Sequence, residues 1–299
     1  MIVLDMGNID LTALEIFKTV AEAGGIAKAA SRLHRVPSNV TTRVKQLEER
    51  LGTQLFLRGN RRLVLSPEGK RLLGYAARLL QLSAEAEAAL RHGSPAGAFQ
   101  IGALESTAAT RLPPILSRYH RRYPEVRLEL VTGTTGALIA RVMRHEVEAA
   151  FVAEPFAADG LEGEPVFSEE LVLITPKSFR RIKTPRDIGR ATLIAFATGC
   201  SYRRRLEAWL GGAKVVPDRV MEFGSYHAIV ACVAAGAGIA IVPRSVIRIS
   251  LAASGVAAYS LPAAVAKART FLVWRQGHPS IALDAMRAEV RRATRRVRI

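Results

Sequence analysis

The sequence predicts a mixed α/β chain made of two dissimilar parts. Three observations predict it. Residues 1–92 read as helical apart from one short interruption. HGSPAGA, residues 92–98, is a linker by composition. Beyond it, short apolar runs alternate with helical patterns, the mark of βαβ units.

Within the first part, residues 10–23 place Leu11, Leu14, Phe17, Val20 and Ala21 on one helical face. After the breaker Gly24-Gly25, residues 26–33 predict a short alanine-rich helix, and residues 37–51 a third helix ended by Gly52. LFLRGNRRLVL sets two short runs around Gly59-Asn60, a hairpin signal. Ser66-Pro67, an N-cap followed by proline at the first helical position, starts a long helix that runs to His92. In that helix Leu72, Leu79 and Ala86 recur at seven, with Tyr75, Leu82 and Ala89 three residues after each. Such a seam suits a coiled coil, and dimerisation is preferred to packing within one domain.

After the linker, FQIGAL, VRLELVT and EAAFVA predict strands separated by helices in RLPPILSRYHRRYP and TGALIARVMRHE. ELVLITP, ATLIAF, RVMEF and IAIVP continue the strands, with helices SYRRRLEAWL and SYHAIVACVAAG between them. VAAYSL, TFLVW and a basic helix finish the chain. The reading is two α/β units of similar size with parallel connections.

A chain of 299 residues accommodates two or three domains. A net charge of +17 draws it to polyanions: nucleic acid, an anionic membrane surface or acidic ligands. Two cysteines make no disulfide framework and fit a reducing cytoplasm. Asp5 and Asp10 interrupt the N-terminal apolar run, so no signal peptide is expected. No stretch reaches the ~18 apolar residues of a membrane span. The expected location is cytoplasmic.

The segment AASRLHRVPSNVTTRVKQLEERLG carries the functional signal. On a helical wheel Val40, Val44, Leu47 and Leu51 share a narrow arc. Ser38, Thr42, Lys45 and Glu49 lie opposite, with Thr41 and Gln46 on the flanks. Short polar side chains let a helix backbone approach a major groove, where hydroxyls and lysine reach base edges and phosphates. Two helices joined by a tight turn, the second polar outside, form a helix-turn-helix. The following hairpin bears Arg58, Arg61 and Arg62, a basic wing for a minor groove or phosphates. The alternative, a solvated helix face, is weakened by that wing and by the heptad seam.

LEIFKTVAEAGGIAKAASRLH, VTTRVKQLEERLGTQLFLR and LVLSPEGKRLL together resemble the LysR-type transcriptional regulators, and the resemblance extends over the whole chain. It implies a winged helix-turn-helix at residues 1–66 and a dimerising linker helix at 67–92. It implies an effector-binding domain at 93–299, two-lobed and periplasmic-binding-protein-like. Lobe I is expected at about 97–165 and 268–299, and lobe II at about 166–267. The implied partners are double-stranded promoter DNA, a small-molecule effector, and other copies as a homodimer or a homotetramer, with RNA polymerase a further candidate. The family's recognition helix commonly begins with Ser-Gln and later carries Ser-Arg, whereas this chain has Val36-Pro37 and Thr41-Thr42. DNA contacts are expected from Ser38, Asn39, Thr41, Thr42, Arg43 and Lys45, with Thr42 and Lys45 taking more of the base reading.

Ligands in two-lobed α/β folds sit beyond the carboxyl ends of strands, near helix N-termini that favour anions. Small polar residues stand at four such junctions: Ser106 and Thr107, Thr134 and Thr135, Cys200 and Ser201, and Ser225. Arg203 could supply a cation if it turns inward, so an anionic or amino-acid-like effector is expected. A thiol at a helix N-terminus beside Arg203–Arg205 invites a depressed pKa at Cys200. Cys232 offers no resolving partner, so cavity lining is preferred to redox sensing.

An enzyme is the rival class. AAGAGIAIVP has Ile241 where a dinucleotide loop needs its third glycine, and it follows a helix. HExxH, CxxC, P-loop and GxSxG motifs are all missing, and the six histidines are scattered, so neither metal nor cofactor is expected. A secreted solute-binding protein is disfavoured by the basic N-terminal region. The remaining alternative is a small-molecule-binding protein with only non-specific DNA affinity. The C-terminal MRAEVRRATRRVRI reads as a solvated helix face in preference to a DNA contact.

Overall fold

The computed structural model describes residues 9–58, 63–92, 94–157, 159–179 and 181–296. The chain forms two compact units, residues 1–93 and 94–299.

The first unit contains α1 (Leu11–Ala23), α2 (Ile26–Arg32), α3 (Pro37–Leu51), β1 (Phe56–Arg58), β2 (Leu63–Leu65) and α4 (Pro67–His92). Leu14, Phe17 and Val20 of α1 meet Ala29 and Ala30 of α2 and Val40, Val44 and Leu47 of α3 in one core. Leu11 stays 43% exposed, and Ile16 is buried in its stead. Gly52, in the left-handed region at φ 63°, ends α3 where a side-chain-bearing residue would be strained. β1 and β2 pair antiparallel from Phe56–Leu65 to Arg58–Leu63. The hairpin turn at Gly59-Asn60 lies outside the described residues. Glu48 Oε1 accepts the backbone N–H groups of Leu55 (2.7 Å) and Phe56 (3.1 Å), which ties the hairpin to α3.

The expected seam of α4 splits between two faces. Leu72 packs on the unit's own core with Leu73, Ala76 and Leu80. Tyr75, Leu79 and Leu82 are 59%, 44% and 55% exposed, and Ala86 is exposed too. The side chain of Ala89 lies outside the described set. The outward stripe therefore begins at Tyr75, because the first turn of α4 is anchored inward. There Ser66 Oγ donates to the Gln54 carbonyl (2.7 Å) and accepts the N–H of Gly69 (2.8 Å).

The second unit runs β3 (Gly97–Ala103), α5 (Glu105–Thr110), α6 (Pro113–Arg122), β4 (Val126–Thr132), α7 (Thr135–Met143), β5 (Ala149–Ala153) and β6 (Leu161–Pro176). β7 (Leu193–Ala195), α8 (Ser201–Gly212), β8 (Val220–Glu222), α9 (Tyr226–Ala234), β9 (Ala240–Pro243) and α10 (Arg244–Ile249) follow. β10 (Val256–Ser260), α11 (Ala263–Ala266), β11 (Lys267–Arg275) and α12 (Ile281–Arg296) complete it. Parallel pairing holds for β3 with β4 and β5, and for β7 with β8. β6, β9, β10 and β11 pair antiparallel, against the all-parallel expectation.

The reason is β6. Its first half, LEGEPVFSE, alternates toward solvent and does not read as an apolar strand, yet it lies along β11 from Leu161–Arg275 to Glu170–Lys267. From Leu171 the same strand pairs with β9 and β10 instead. One long strand thus changes partners near residue 170.

Phe99, Ile101, Phe151 and Leu272 of the first lobe's sheet are covered by Ile115 and Tyr119 of α6 and by Met286 and Val290 of α12. The basic C-terminal helix is therefore half core. Its Arg287 and Arg291 reach Glu164 of β6, and its Arg292 reaches Glu289.

Ser66→Ala removes a helix cap and leaves the Gly69 N–H buried without a partner. It should cost about 1–2 kcal/mol. Urea unfolding followed by circular dichroism should show a lower midpoint with an unchanged m-value.

Candidate functional site

In the first unit the apolar period of α3 decides what it shows. With Val40, Val44 and Leu47 buried, Ser38, Asn39, Thr42, Arg43, Lys45 and Gln46 are exposed. Thr41 is half-buried, and its hydroxyl donates to the Pro37 carbonyl (2.9 Å), one turn back on the same helix. Arg43 lies 4.0 Å from Asp10, which caps α1 by accepting the Thr12 N–H at 2.6 Å. Val36 stands at the N-cap of α3 without a side-chain cap, and Pro37 brings no N–H to satisfy. Arg58 closes β1, while Arg61 and Arg62 lie outside the described residues.

In the second unit a narrow, half-open cleft lies between the lobes, about 260 Å³ when the open solvent at its mouth is counted. It opens at the carboxyl ends of β3, β4 and β5 on one side and at the starts of α8 and α9 on the other. Its lining includes Glu105, Thr134, Phe196, Cys200, Tyr202 and Tyr226. Phe196 and Tyr226 pack ring to ring at 4.6 Å.

The expected junction residues divide into three groups. Thr134, Cys200 and Ser201 line the cleft. Thr135 and Ser201, each 1% exposed, are consumed in joining the lobes. Ser201 Oγ donates to the Ala153 carbonyl (2.8 Å) and sits 3.0 Å from Thr135 Oγ1, which itself accepts the Ala153 N–H (3.3 Å). Ser106 and Thr107 are buried without lining the cleft, and Ser225 is outside the lining, its hydroxyl 3.5 Å from Glu105 Oε1.

Arg203 does not turn inward. It binds Glu207 (2.7 Å), Glu222 and the Phe196 carbonyl (3.0 Å). Arg204 donates to the Pro155 carbonyl, and Arg205 to the carbonyls of Ala264 and Glu154. The cation expected for a carboxylate ligand is thus spent on the protein itself. Nor is the Cys200 thiol depressed. Burial pushes it up, against the pull of the Arg203 and Tyr202 backbone N–H groups and the nearby arginines.

Glu105 was overlooked in the sequence, although it stands between the strand FQIGAL and Ser106. Its side chain is 18% exposed. Oε1 receives long hydrogen bonds from Ser225 Oγ (3.5 Å) and the Tyr226 N–H (3.4 Å), and lies 3.8 Å from His227 Nδ1. Oε2 is buried without a protein partner. Burial raises the carboxyl above its ordinary value of 4.5, despite the Tyr226 N–H and His227. Tyr202 and Tyr226 likewise stand outside the expected set, although each follows an expected small polar residue at a helix start, Ser201 or Ser225.

A family model described as LysR substrate binding domain matches residues 92–295, and one described as bacterial regulatory helix-turn-helix protein, lysR family, matches residues 11–70. The chain belongs to the LysR family of transcriptional regulators.

It is similar to the HTH-type transcriptional regulator YusT of Bacillus subtilis (strain 168), 40% identical over 272 residues, or 90% of this chain and 91% of that one. It is also similar to GltR of the same organism, 42% identical over 241 residues, or 80% and 81%. Full-length CbnR, solved with its target DNA, shares the fold at TM-score 0.70 and 24% identity, over 95% of this chain and 100% of that one. A full-length OxyR variant from Pseudomonas aeruginosa shares it at TM-score 0.71 and 21% identity, over 96% and 97%. As a LysR-family regulator the chain pairs a DNA-binding helix-turn-helix with an effector-binding domain, and its relatives regulate transcription and are not enzymes. Among the described residues, no helix is long and apolar enough to cross a membrane.

The raised pKa of Glu105 has a definite sign. Between 4.5 and the raised value the folded state binds the proton that the unfolded chain has released, so stability falls as pH rises through that window. At neutral pH the buried carboxylate is a net cost. Glu105→Gln should therefore raise the melting temperature of the free protein at pH 7. The gain should vanish below pH 4.5, as followed by calorimetry across the range.

Proposed function

We propose that this LysR-family regulator reads promoter DNA through α3 and its hairpin, and that a small-molecule effector in the interlobe cleft modulates it. The observation that supports the reading most directly is the exposed face of α3. Ser38, Asn39, Thr42, Arg43 and Lys45 project from a helix whose other side is locked into the core. Arg58, Arg61 and Arg62 would extend contact to phosphates or a minor groove. Thr41 has the smaller share, because its hydroxyl is already bonded to Pro37.

Two copies pair through the outward stripe of α4, Tyr75, Leu79 and Leu82, so that two α3 helices enter successive major grooves. Pairs of such dimers form the tetramer. Effector binding favours one of two pre-existing arrangements of subunits on DNA, which alters the bend and the access of RNA polymerase. The domain limits are residues 1–66 for DNA binding, 67–92 for the linker helix and 93–299 for effector binding.

Gel-shift titration on the DNA upstream of its own gene, with non-specific competitor at several salt concentrations, tests this. Lys45→Ala should weaken binding about tenfold and lower the salt slope by about 1. Thr42→Ala should narrow the gap between operator and random DNA, whereas Thr41→Val should leave it in place. Smearing that competitor abolishes would instead favour generic charge attraction.

A further inference from the structure

The side chains lining the cleft carry formal charge of one sign, although the starts of α8 and α9 turn backbone N–H groups toward it. Among the described residues lining it, Glu105 is the one with a formal charge, and no arginine, lysine or histidine faces it from the lining. The arginines of α8 are turned to Glu207, Glu222, Glu154 and backbone carbonyls. His227, the nearest group able to carry positive charge, is 58% exposed at the rim. A carboxylate ligand would meet a buried carboxylate with no counter-cation.

The polar atoms on offer point the same way. Glu105 Oε2 has no partner within the protein. Tyr202, 2% exposed, also lines the cleft, and its hydroxyl lies beside those of Ser106 and Thr270. An uncompensated buried polar group is costly, and a buried charge more so, unless something pairs with it. An ammonium brings three donors and a positive charge to such acceptors. The aromatic side chains of Phe196, Tyr202 and Tyr226 complete a lining that does not oppose a cation.

We propose that the effector of this protein is a small molecule bearing a protonated amine, with the ammonium held by Glu105. The inference rests on the cleft being the effector site, as proposed above. Glu105 belongs to the first lobe and already reaches the start of α9 in the second through long bonds to Ser225 and Tyr226. An ammonium seated on the unpartnered Oε2 would sit beside the bonds that Oε1 makes to the second lobe.

The test is thermal-shift and calorimetric titration of the full chain with propylammonium, ethanolamine, alanine, N-acetylalanine, propionate and succinate. Wild type is compared with Glu105→Gln and with Cys200→Leu, which fills the cleft from its lining. A cooperative calorimetric melting transition and an unchanged far-ultraviolet circular dichroism spectrum of each full-length variant show that it is folded. Ammonium-bearing probes should bind and their N-acetylated or carboxylate counterparts should not. Affinity should fall at least tenfold in Glu105→Gln and also fall in Cys200→Leu. Carboxylates that bind wild type and Glu105→Gln alike, yet fail with Cys200→Leu, would overturn the amine assignment and leave the cleft in place. Binding of the probes that persists in Cys200→Leu would overturn the cleft itself and the inference with it. No response to any ammonium probe at concentrations up to about 50 mM, a range set by the weak affinity of ligands with few atoms, also overturns it.

Discussion

The cleft depends on a small knot of buried hydroxyls. Ser201 from the start of α8, Thr135 from the start of α7 and the backbone of Ala153 at the end of β5 satisfy one another inside the protein. Each hydroxyl is 1% exposed, so parting the lobes at this point would strand donors and acceptors at roughly 1–3 kcal/mol apiece. Beside the knot, the Gly136 N–H donates to the Gly199 carbonyl at 3.3 Å. Gly199 has φ +96°, and a Cβ there would stand 3.1 Å from Thr134 Oγ1, so only glycine allows this approach. The floor of the cleft is firm. Its mouth is held by the long bonds of Glu105 to Ser225 and Tyr226, which are the easier to exchange for a ligand.

The DNA-binding unit divides labour by the same logic of satisfied and unsatisfied groups. Glu48, on the inner side of α3, spends its carboxylate on two backbone N–H groups of the hairpin. Those bonds tie the start of the hairpin to α3, whose other face bears Thr42 and Lys45. Thr41 spends its hydroxyl on its own helix, and Thr42, one position on, does not face the same carbonyl. Two adjacent threonines therefore differ in what they can offer a base edge, which composition alone does not reveal.

Much of this was legible in the sequence, and the failures share a cause. Periodicity located α1 to α4 and the inward arc of α3, because burial of one helix face leaves a repeating apolar trace. Ser66-Pro67 announced the start of α4 for the same local reason. The first half of β6 left no trace, since its partner β11 comes a hundred residues later and its own side chains meet solvent in alternation. Arg203 and Glu105 were misjudged together. The sequence shows that both lie near helix starts, but not that Glu222, nineteen residues on, captures the arginine, or that nothing in the protein captures Glu105 Oε2. Pairing across the fold is what a linear reading lacks.

The same pairing explains how a chain of net charge +17 can hold a cleft suited to a cation. In the second unit arginines are matched to carboxylates: Arg111 to Glu169, Arg244 to Glu170, Arg269 and Arg205 to Glu154, Arg287 and Arg291 to Glu164. A matched pair contributes little beyond its own neighbourhood, and salt screens the remainder over about 8 Å. On α3, by contrast, Lys45 is exposed and makes no ion pair among the described residues, and Arg43 has only Asp10 at 4.0 Å. The net positive charge is therefore felt by a polyanion that presents many phosphates at short range. A small ligand that has diffused into the cleft is within a few ångströms of Glu105 and sees that carboxylate first. Local desolvated charge governs the one partner, and summed surface charge the other.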